Sequence, residues 1–202
     1  MDAPPQRLAY VEQTRRSLLD SAERLFIADG YHATSLDAIA EAARFTKGAV
    51  YRHFASKEAV FIAVLERVQR DAVEQVARGA SETAPSWSNA MAAVGAYLDL
   101  ITSRRFRRIL LEEAPGVLGW ARWRVLDEQA TGLVVRQMVQ RLVDGGVIAP
   151  APDLATVGRL ICAMVAEAAL GLATAEDVQT QRRTALACIE QLLSGLRQPL
   201  QD

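Results

Sequence analysis

Residues 34–58 read Thr34-Ser35-Leu36-Asp37-Ala38-Ile39-Ala40-Glu41-Ala42-Ala43-Arg44-Phe45-Thr46-Lys47-Gly48-Ala49-Val50-Tyr51-Arg52-His53-Phe54-Ala55-Ser56-Lys57-Glu58. This stretch decides the fold. It predicts two short helices joined by a tight turn, then the start of a third. Thr34 is placed to cap the first, with Asp37 three residues on in a capping-box-like position. Leu36, Ile39, Ala40 and Ala43 form its apolar face. Thr46 caps the second, which runs to about Phe54, and Ser56 caps the next, with Glu58 favourable to its dipole. Two helices crossing at close range need a small residue at the crossing, and Ala40 supplies it. Ile39, Ala43, Phe45 and Val50 supply the apolar contacts that fix the angle.

The exposed face of the second short helix carries the chemistry of a helix lying in a DNA major groove. Thr46 and the free N–H groups around Lys47 and Gly48 can bind a phosphate at the helix start. Gly48 weakens the helix by about 1 kcal/mol relative to alanine but lets the backbone approach DNA. Lys47 can reach a guanine edge or a phosphate, and Ala49 a thymine methyl. Tyr51 and His53 can donate to phosphates, Arg52 can read a base or a phosphate, and Lys57 can clamp a phosphate. Taken singly, Lys47, Arg52 and Lys57 are also what a solvated face looks like.

Upstream, residues 1–10 show little periodicity and read as a mobile arm. A helix is predicted over Val11–Asp29, with Leu18, Ala22, Leu25 and Phe26 on one face and Gly30 as its left-handed cap. Downstream, Val60, Phe61, Val64, Leu65 and Val68 face inward on a long helix continuing towards Gly79. Residues 80–86 read as a linker. Further helices are predicted near 87–103, 105–113, 119–144, 153–173 and 180–197, broken at Pro115-Gly116, at Gly145-Gly146 through Pro150 and Pro152, and near Thr174–Asp177. The fold class is all-α.

The composition agrees. Of 202 residues 50% are hydrophobic and 23% charged, with 7 prolines and 12 glycines, which suits a globular helical chain. A net charge of −1 disfavours indiscriminate nucleic-acid binding but leaves room for a local basic patch. No run is expected to approach the roughly 20 apolar residues that span a bilayer, and no secretory leader is read at the N-terminus. Cys162 and Cys188 are read as free, buried, small hydrophobes in a reducing cytoplasm. No cofactor and no metal site are expected. An enzyme is not expected either: His32 and His53 are the two histidines, and there is no nucleophile elbow, phosphate loop or metal-ligand cluster.

Gly30-Tyr31, Thr34-Ser35, Ile39-Ala40, Ala43, the run from Thr46 to Phe54, and Ser56-Lys57-Glu58 closely resemble the tetracycline-repressor (TetR) family of bacterial transcriptional regulators. The resemblance covers about residues 14–65. It implies an N-terminal three-helix DNA-binding domain, placed at residues 1–56, and a larger helical effector-binding and dimerisation domain at 57–202, joined by the long helix Ser56–Gly79. It further implies a cytoplasmic homodimer that represses from a palindromic operator and is released by a small-molecule effector. The alternatives are a DNA-binding regulator with no small-molecule ligand, controlled by a protein partner, or an activator. Carried over by position, the resemblance marks Thr34, Ser35, Thr46, Lys47, Gly48, Ala49, Tyr51, Arg52, His53 and Lys57 as DNA contacts, with Val50 and Phe54 as core. Arg44 departs from the pattern, standing where the family usually has glycine. A positive φ there costs about 1 kcal/mol, while the side chain can gain a phosphate contact or remain solvated.

In the remaining two-thirds, Leu154, Val157, Ile161, Val165 and Ala168 repeat at helical spacing, as do Leu186, Ile189, Leu193 and Leu196. Two such hairpins from two chains make a four-helix bundle; the other reading is an internal core. Met91, Tyr97, Phe106, Trp120, Trp123, Met138 and Met164 are candidate walls of an effector site, or ordinary core. The effector is expected to be hydrophobic. Glu112, Glu113 and Glu167 are possible anchors for a cationic ligand, and the arginines at 104, 105, 107 and 108 surround Phe106 in a basic cluster that suits an anionic effector, DNA or solvent.

Overall fold

The computed structural model describes residues 5–79, 86–150 and 153–197. Among these the chain is helical throughout, with no strand and one isolated bridge between Ile148 and Arg197. α1 (Pro5–Asp29), α2 (Leu36–Ala42) and α3 (Lys47–His53) form a small three-helix unit against the start of α4 (Lys57–Gly79). The larger body comprises α5 (Trp87–Thr102), α6 (Arg104–Phe106), α7 (Ala114–Leu118), α8 (Trp120–Asp127), α9 (Leu133–Asp144), α10 (Leu154–Ala173) and α11 (Val178–Ser194). Two π-helical segments interrupt it: Arg107–Glu113 joins α6 to α7, and Glu128–Gly132 joins α8 to α9.

The sequence pattern explains the three-helix unit. Leu18, Ala22 and Phe26 are fully buried on α1. They meet Ile39 and Ala40 of α2, Val50 of α3 and Phe61 of α4 in one core. Ala40, at the helix crossing, is 3% exposed. Phe26, Tyr31 and Phe61 make edge and tilted ring contacts that fix the entry to α2. Gly30 ends α1 at φ +85, and the space is as restrictive as the angle: a Cβ there would stand 2.7 Å from Arg108 Nη2 and 2.8 Å from Glu113 Oε1.

Several boundaries differ from expectation. α1 begins at Pro5, so residues 5–10 are helical rather than an arm, and residues 1–4 lie outside the described ones. The cap of α2 is Ser35, which accepts from Ala38 N–H at 3.0 Å, not Thr34. Of the expected linker only Ser86 is described, and it caps α5. The break expected at Pro115-Gly116 lies at Gly119, φ +74. Pro115 is the second residue of α7, which continues directly from the first π segment. α10 also corrects the expectation about apolar runs: with mean hydropathy 1.6 it is long and apolar enough, by length and composition only, to cross a membrane. One of its faces is packed against α5, α9 and α11.

Salt bridges tie α1 and α4 to the body. Glu23, 8% exposed, accepts from both Arg67 and Arg105. Arg67 also pairs with Asp20 at 2.6 Å and Arg105 with Asp71 at 2.6 Å. Arg104 donates to Ala28 O, while Arg107 and Arg108 pair with Glu112 and Arg108 with Glu113. Three of the four arginines around Phe106 are therefore paired with carboxylates within the fold, Arg104 remains exposed, and Glu112 and Glu113 are committed to arginines.

Candidate nucleic-acid interface and effector cavity

The turn between α2 and α3 is built on Arg44. The N–H of Arg44 donates to Glu41 O at 3.0 Å and that of Phe45 to Ala40 O at 2.9 Å, the paired bonds of a Schellman end. Arg44 takes φ 59, the left-handed conformation that glycine adopts without strain. Thr46 then caps α3, accepting from Ala49 N–H at 3.3 Å. Val50 and Phe54 are buried, at 0% and 5% exposure, and fix the helix from beneath.

One outward face collects most of the predicted DNA set. Ser35, Arg44, Thr46, Lys47, Gly48, Tyr51 and Arg52 are exposed, and Ala49 and His53 half-buried. Tyr51 is 51% exposed, unusual for so large a ring. Lys47 pairs with Asp37 at 2.9 Å, which holds it protonated. At Gly48 nothing inside the protein demands glycine, since a Cβ would meet only Thr46 Oγ1 at 3.8 Å. Two predicted contacts are placed otherwise. The Thr34 side chain is 3% exposed and donates to Gly30 O at 2.8 Å, so its hydroxyl is turned away from the surface. Lys57 donates to Tyr31 O and Thr34 O, each at 2.9 Å, and its ammonium sits 4.2 Å from the centre of the Tyr31 ring. It is a clasp on the α1–α2 loop rather than a free phosphate clamp.

The body holds a cavity of about 580 Å³ between α4, α5, α8, α9, α10 and the two π segments. Its wall is mainly apolar. Met91, Tyr97, Trp120, Trp123 and Met138 line it, as the sequence reading placed them, whereas Phe106 is buried in the main core and Met164 packs against that core. Trp120 and Trp123 are in tilted contact, ring centres 4.8 Å apart, with Trp120 62% exposed. Sequence reasoning missed Trp87, Gln69 and the polar set at the end of α8, Asp127 with Thr131 and Cys162 nearby. Burial pushes the Tyr97 hydroxyl well above its ordinary value, with Asp127 adding to the effect. It also raises the Asp127 carboxyl, which Thr131 and Arg124 partly oppose. The Cys162 thiol is pushed up to about 11, again mainly by burial. Cys188 is exposed, against expectation. Of the acids considered from sequence, only Glu167 reaches the wall. Among the described residues no cluster of His, Cys, Asp or Glu is placed to hold a metal.

The stripe assigned to a dimer interface faces the chain's own interior. Val165 and Ile189 are buried, and Leu154, Val157, Ile161, Ala168, Leu186, Leu193 and Leu196 pack against the two internal cores. The large apolar residues exposed on these helices are Leu160, Leu170 and Leu192, at 65%, 42% and 69%, the first two also standing at the cavity wall.

A fixed path joins cavity and interface. Leu110 and Leu111 of the first π segment are on the cavity wall. On the same segment, Glu113 accepts from Tyr31 N–H at 3.3 Å, and Tyr31 O is held by Lys57 at the start of α4. α4 itself lines the cavity further along, through Gln69, Ala72, Val73 and Val76. Arg122 of α8 pairs with Glu58 of α4.

Comparison with known proteins agrees with this architecture. Residues 18–64 match the model for bacterial regulatory proteins of the tetR family, and residues 87–196 match the tetracyclin repressor-like C-terminal domain. A TetR-family transcriptional regulator from Pectobacterium atrosepticum superposes with TM-score 0.79 at 30% identity, covering 95% of this chain and 97% of that one. SmeT, the repressor of a Stenotrophomonas maltophilia multidrug efflux pump, superposes in its triclosan complex with TM-score 0.68 at 23% identity, over 94% of this chain and 100% of that one. The transcriptional activator FasR of Mycolicibacterium smegmatis is 36% identical over 90 residues, 45% of this chain and 41% of FasR. The chain spans about half the length of the first curated relatives it matches, from 41% to 58%. The family consists of DNA-binding regulators rather than enzymes. A helix-turn-helix with an exposed recognition face, a helical body matched over residues 87–196 and a full-length structural relative lead to one assignment: the chain belongs to the TetR family of bacterial transcriptional regulators.

Proposed function

We propose that the chain is a homodimeric, cytoplasmic repressor that binds a palindromic operator through α3 and leaves it when a hydrophobic small molecule fills the cavity of the helical body. The observation that carries this reading is α4, whose middle lines a 580 Å³ cavity while Lys57 at its start clasps the loop leading into α2. A ligand pushing on Ala72, Val73 or Val76 acts on the same rigid helix that fixes the recognition helix. In a dimer, tilting α4 moves the two copies of α3 off the spacing of about 34–36 Å between successive major grooves. The ligand need only bind the two arrangements with different affinity. SmeT holding triclosan in a related fold supports a small apolar effector.

Within this reading Ser35, Arg44, Thr46, Lys47, Gly48, Ala49, Tyr51, Arg52 and His53 meet DNA. Lys57 and Thr34 act one step back, by holding the loop. The dimer forms on the outer face of α10 and α11, through Leu160, Leu170 and Leu192, because exposed leucines of this size on adjacent helices mark an interaction surface. FasR is named an activator, so the sense of regulation is tested directly. The experiment is selection of bound DNA from a random pool, followed by transcription from a promoter carrying the enriched site. A palindrome bound with a steep salt slope, and a promoter silenced by the protein, is the expected result. An unenriched pool would remove operator recognition, and a stimulated promoter would make the protein an activator.

A further inference from the structure

Asp127 stands out among the carboxylates of the body. It closes α8 where the helix passes into the second π segment, and it lines the cavity. Its neighbour Glu128 pairs with Arg136 at 2.9 Å and lies 3.9 Å from Arg159. Glu112, Glu113 and Asp99 are likewise paired with arginines, and Glu167, the other acid on the wall without an ion pair among the described residues, is exposed to solvent. Asp127 makes no ion pair among the described residues. Its relief comes from the Thr131 hydroxyl, one turn on, and from Arg124 at longer range.

A largely desolvated carboxylate with no close ion pair is costly, and such groups in clefts mark sites. Its setting is aromatic, with Tyr97, Trp120 and Trp123 on the same wall; of the arginines there, Arg136 and Arg159 are directed to Glu128, and Arg124 acts on Asp127 only at longer range. Aromatic faces attract cations, and a desolvated carboxylate accepts strong charge-assisted hydrogen bonds from an ammonium. π-helical insertions occur frequently at functional sites, and here the insertion begins at the residue after Asp127.

We infer that Asp127 is the anchor for the effector, and that the effector is an apolar compound bearing one protonated amine, its ammonium on the Asp127 carboxylate and its hydrocarbon among Tyr97, Trp120 and Trp123. This inference rests on reading the cavity as the effector chamber. The ammonium gives Asp127 the close ion pair that none of the cavity arginines makes with it among the described residues. An anion would meet Asp127 unfavourably, and a neutral alcohol would forgo the charge.

The test uses the full chain and three probes sharing one skeleton: 4-phenylbutylamine, 4-phenylbutanol and 4-phenylbutanoate, titrated calorimetrically at neutral pH. The amine is expected to bind about tenfold or more tighter than the alcohol, the range of one charged hydrogen bond. In Asp127→Asn, which keeps shape and removes charge, the amine is expected to fall to the affinity of the alcohol. Thr131→Val provides a second variant that leaves the carboxylate in place, and there the amine preference is expected to persist. Arg124→Gln is expected to leave amine binding unchanged or tighter. Equal affinity for amine and alcohol, preference for the carboxylate, absence of amine binding, or an amine preference surviving Asp127→Asn would each overturn the inference. Operator binding measured on the same preparations separates the two levels. A protein that binds operator but not the amine loses only the anchor, whereas one that binds the amine but no DNA loses the regulator reading.

Discussion

At the scale of single residues, the recognition turn joins two choices that oppose stability. Arg44 occupies φ 59 in a Schellman end that glycine would fill without strain. Gly48 occupies a helical position where a Cβ would meet only Thr46 Oγ1 at 3.8 Å. A chain selected for stability alone would exchange these identities, so both point to the DNA face. Gly48→Ala is expected to stabilise the protein by up to about 1 kcal/mol while weakening operator binding by about 1–3 kcal/mol, the scale of one lost base contact. A thermal melt and an operator titration on the same sample check both signs. A tighter complex would mean that no DNA backbone approaches α3 at that point. Arg44→Gly relieves about 1 kcal/mol of left-handed strain but gains unfolded-state freedom worth about 0.5–1 kcal/mol, leaving a net stabilisation of about 0–0.5 kcal/mol. Its operator affinity should fall and the salt slope flatten by about one phosphate contact. An unchanged slope would assign Arg44 to solvent.

At the scale of elements, what was legible in the sequence follows from how many constraints each element obeys. α3 was readable because cap, core side and exposed side are three separate signals: Thr46, then Val50 and Phe54, then Lys47, Tyr51 and Arg52. α10 was not, because it is apolar nearly all round. Periodicity finds a stripe in such a helix without saying which side meets the chain's own core, and Val157, Ile161 and Val165 turned out to point inward. Thr34 and Lys57 carry a related ambiguity: a hydroxyl and an ammonium look the same in sequence whether they face phosphate or a backbone carbonyl. Here both hold carbonyls of residues 30–34. Asp127 was invisible because its character comes from the cavity around it and not from its neighbours in sequence. The outer face of α10 and α11 then carries its own prediction. Leu160→Glu combined with Leu192→Glu replaces side chains 65% and 69% exposed, so the fold of one chain should be nearly unaffected. Sedimentation should show a dimer becoming monomer, with operator affinity lost in parallel. A dimer surviving both charges would place the interface elsewhere.

At the scale of the whole molecule, the two sites are joined by continuous, rigid contacts. Leu110 and Leu111 touch the cavity and Glu113 holds Tyr31 N–H from the same π segment. Lys57 holds Tyr31 O and Thr34 O from the start of α4, whose later turns return to the cavity wall. Such a path works in both directions, because coupling between binding sites is a single free energy. Any compound that fills the cavity and weakens operator binding by some factor must itself bind more weakly, by the same factor, to the protein–operator complex. The factor is expected to lie between about 5 and 150. It should shrink in Glu113→Gln, where a neutral amide replaces the carboxylate that meets Arg108 and Tyr31 N–H. Titrating the compound against free and operator-saturated protein, and the operator against free and compound-saturated protein, gives the factor twice. Agreement between the two values, and a joint decrease in Glu113→Gln, would place the coupling in the Glu113–Tyr31–Lys57 clasp. Agreement without that decrease would put it in α4 alone, through Ala72, Val73 and Val76.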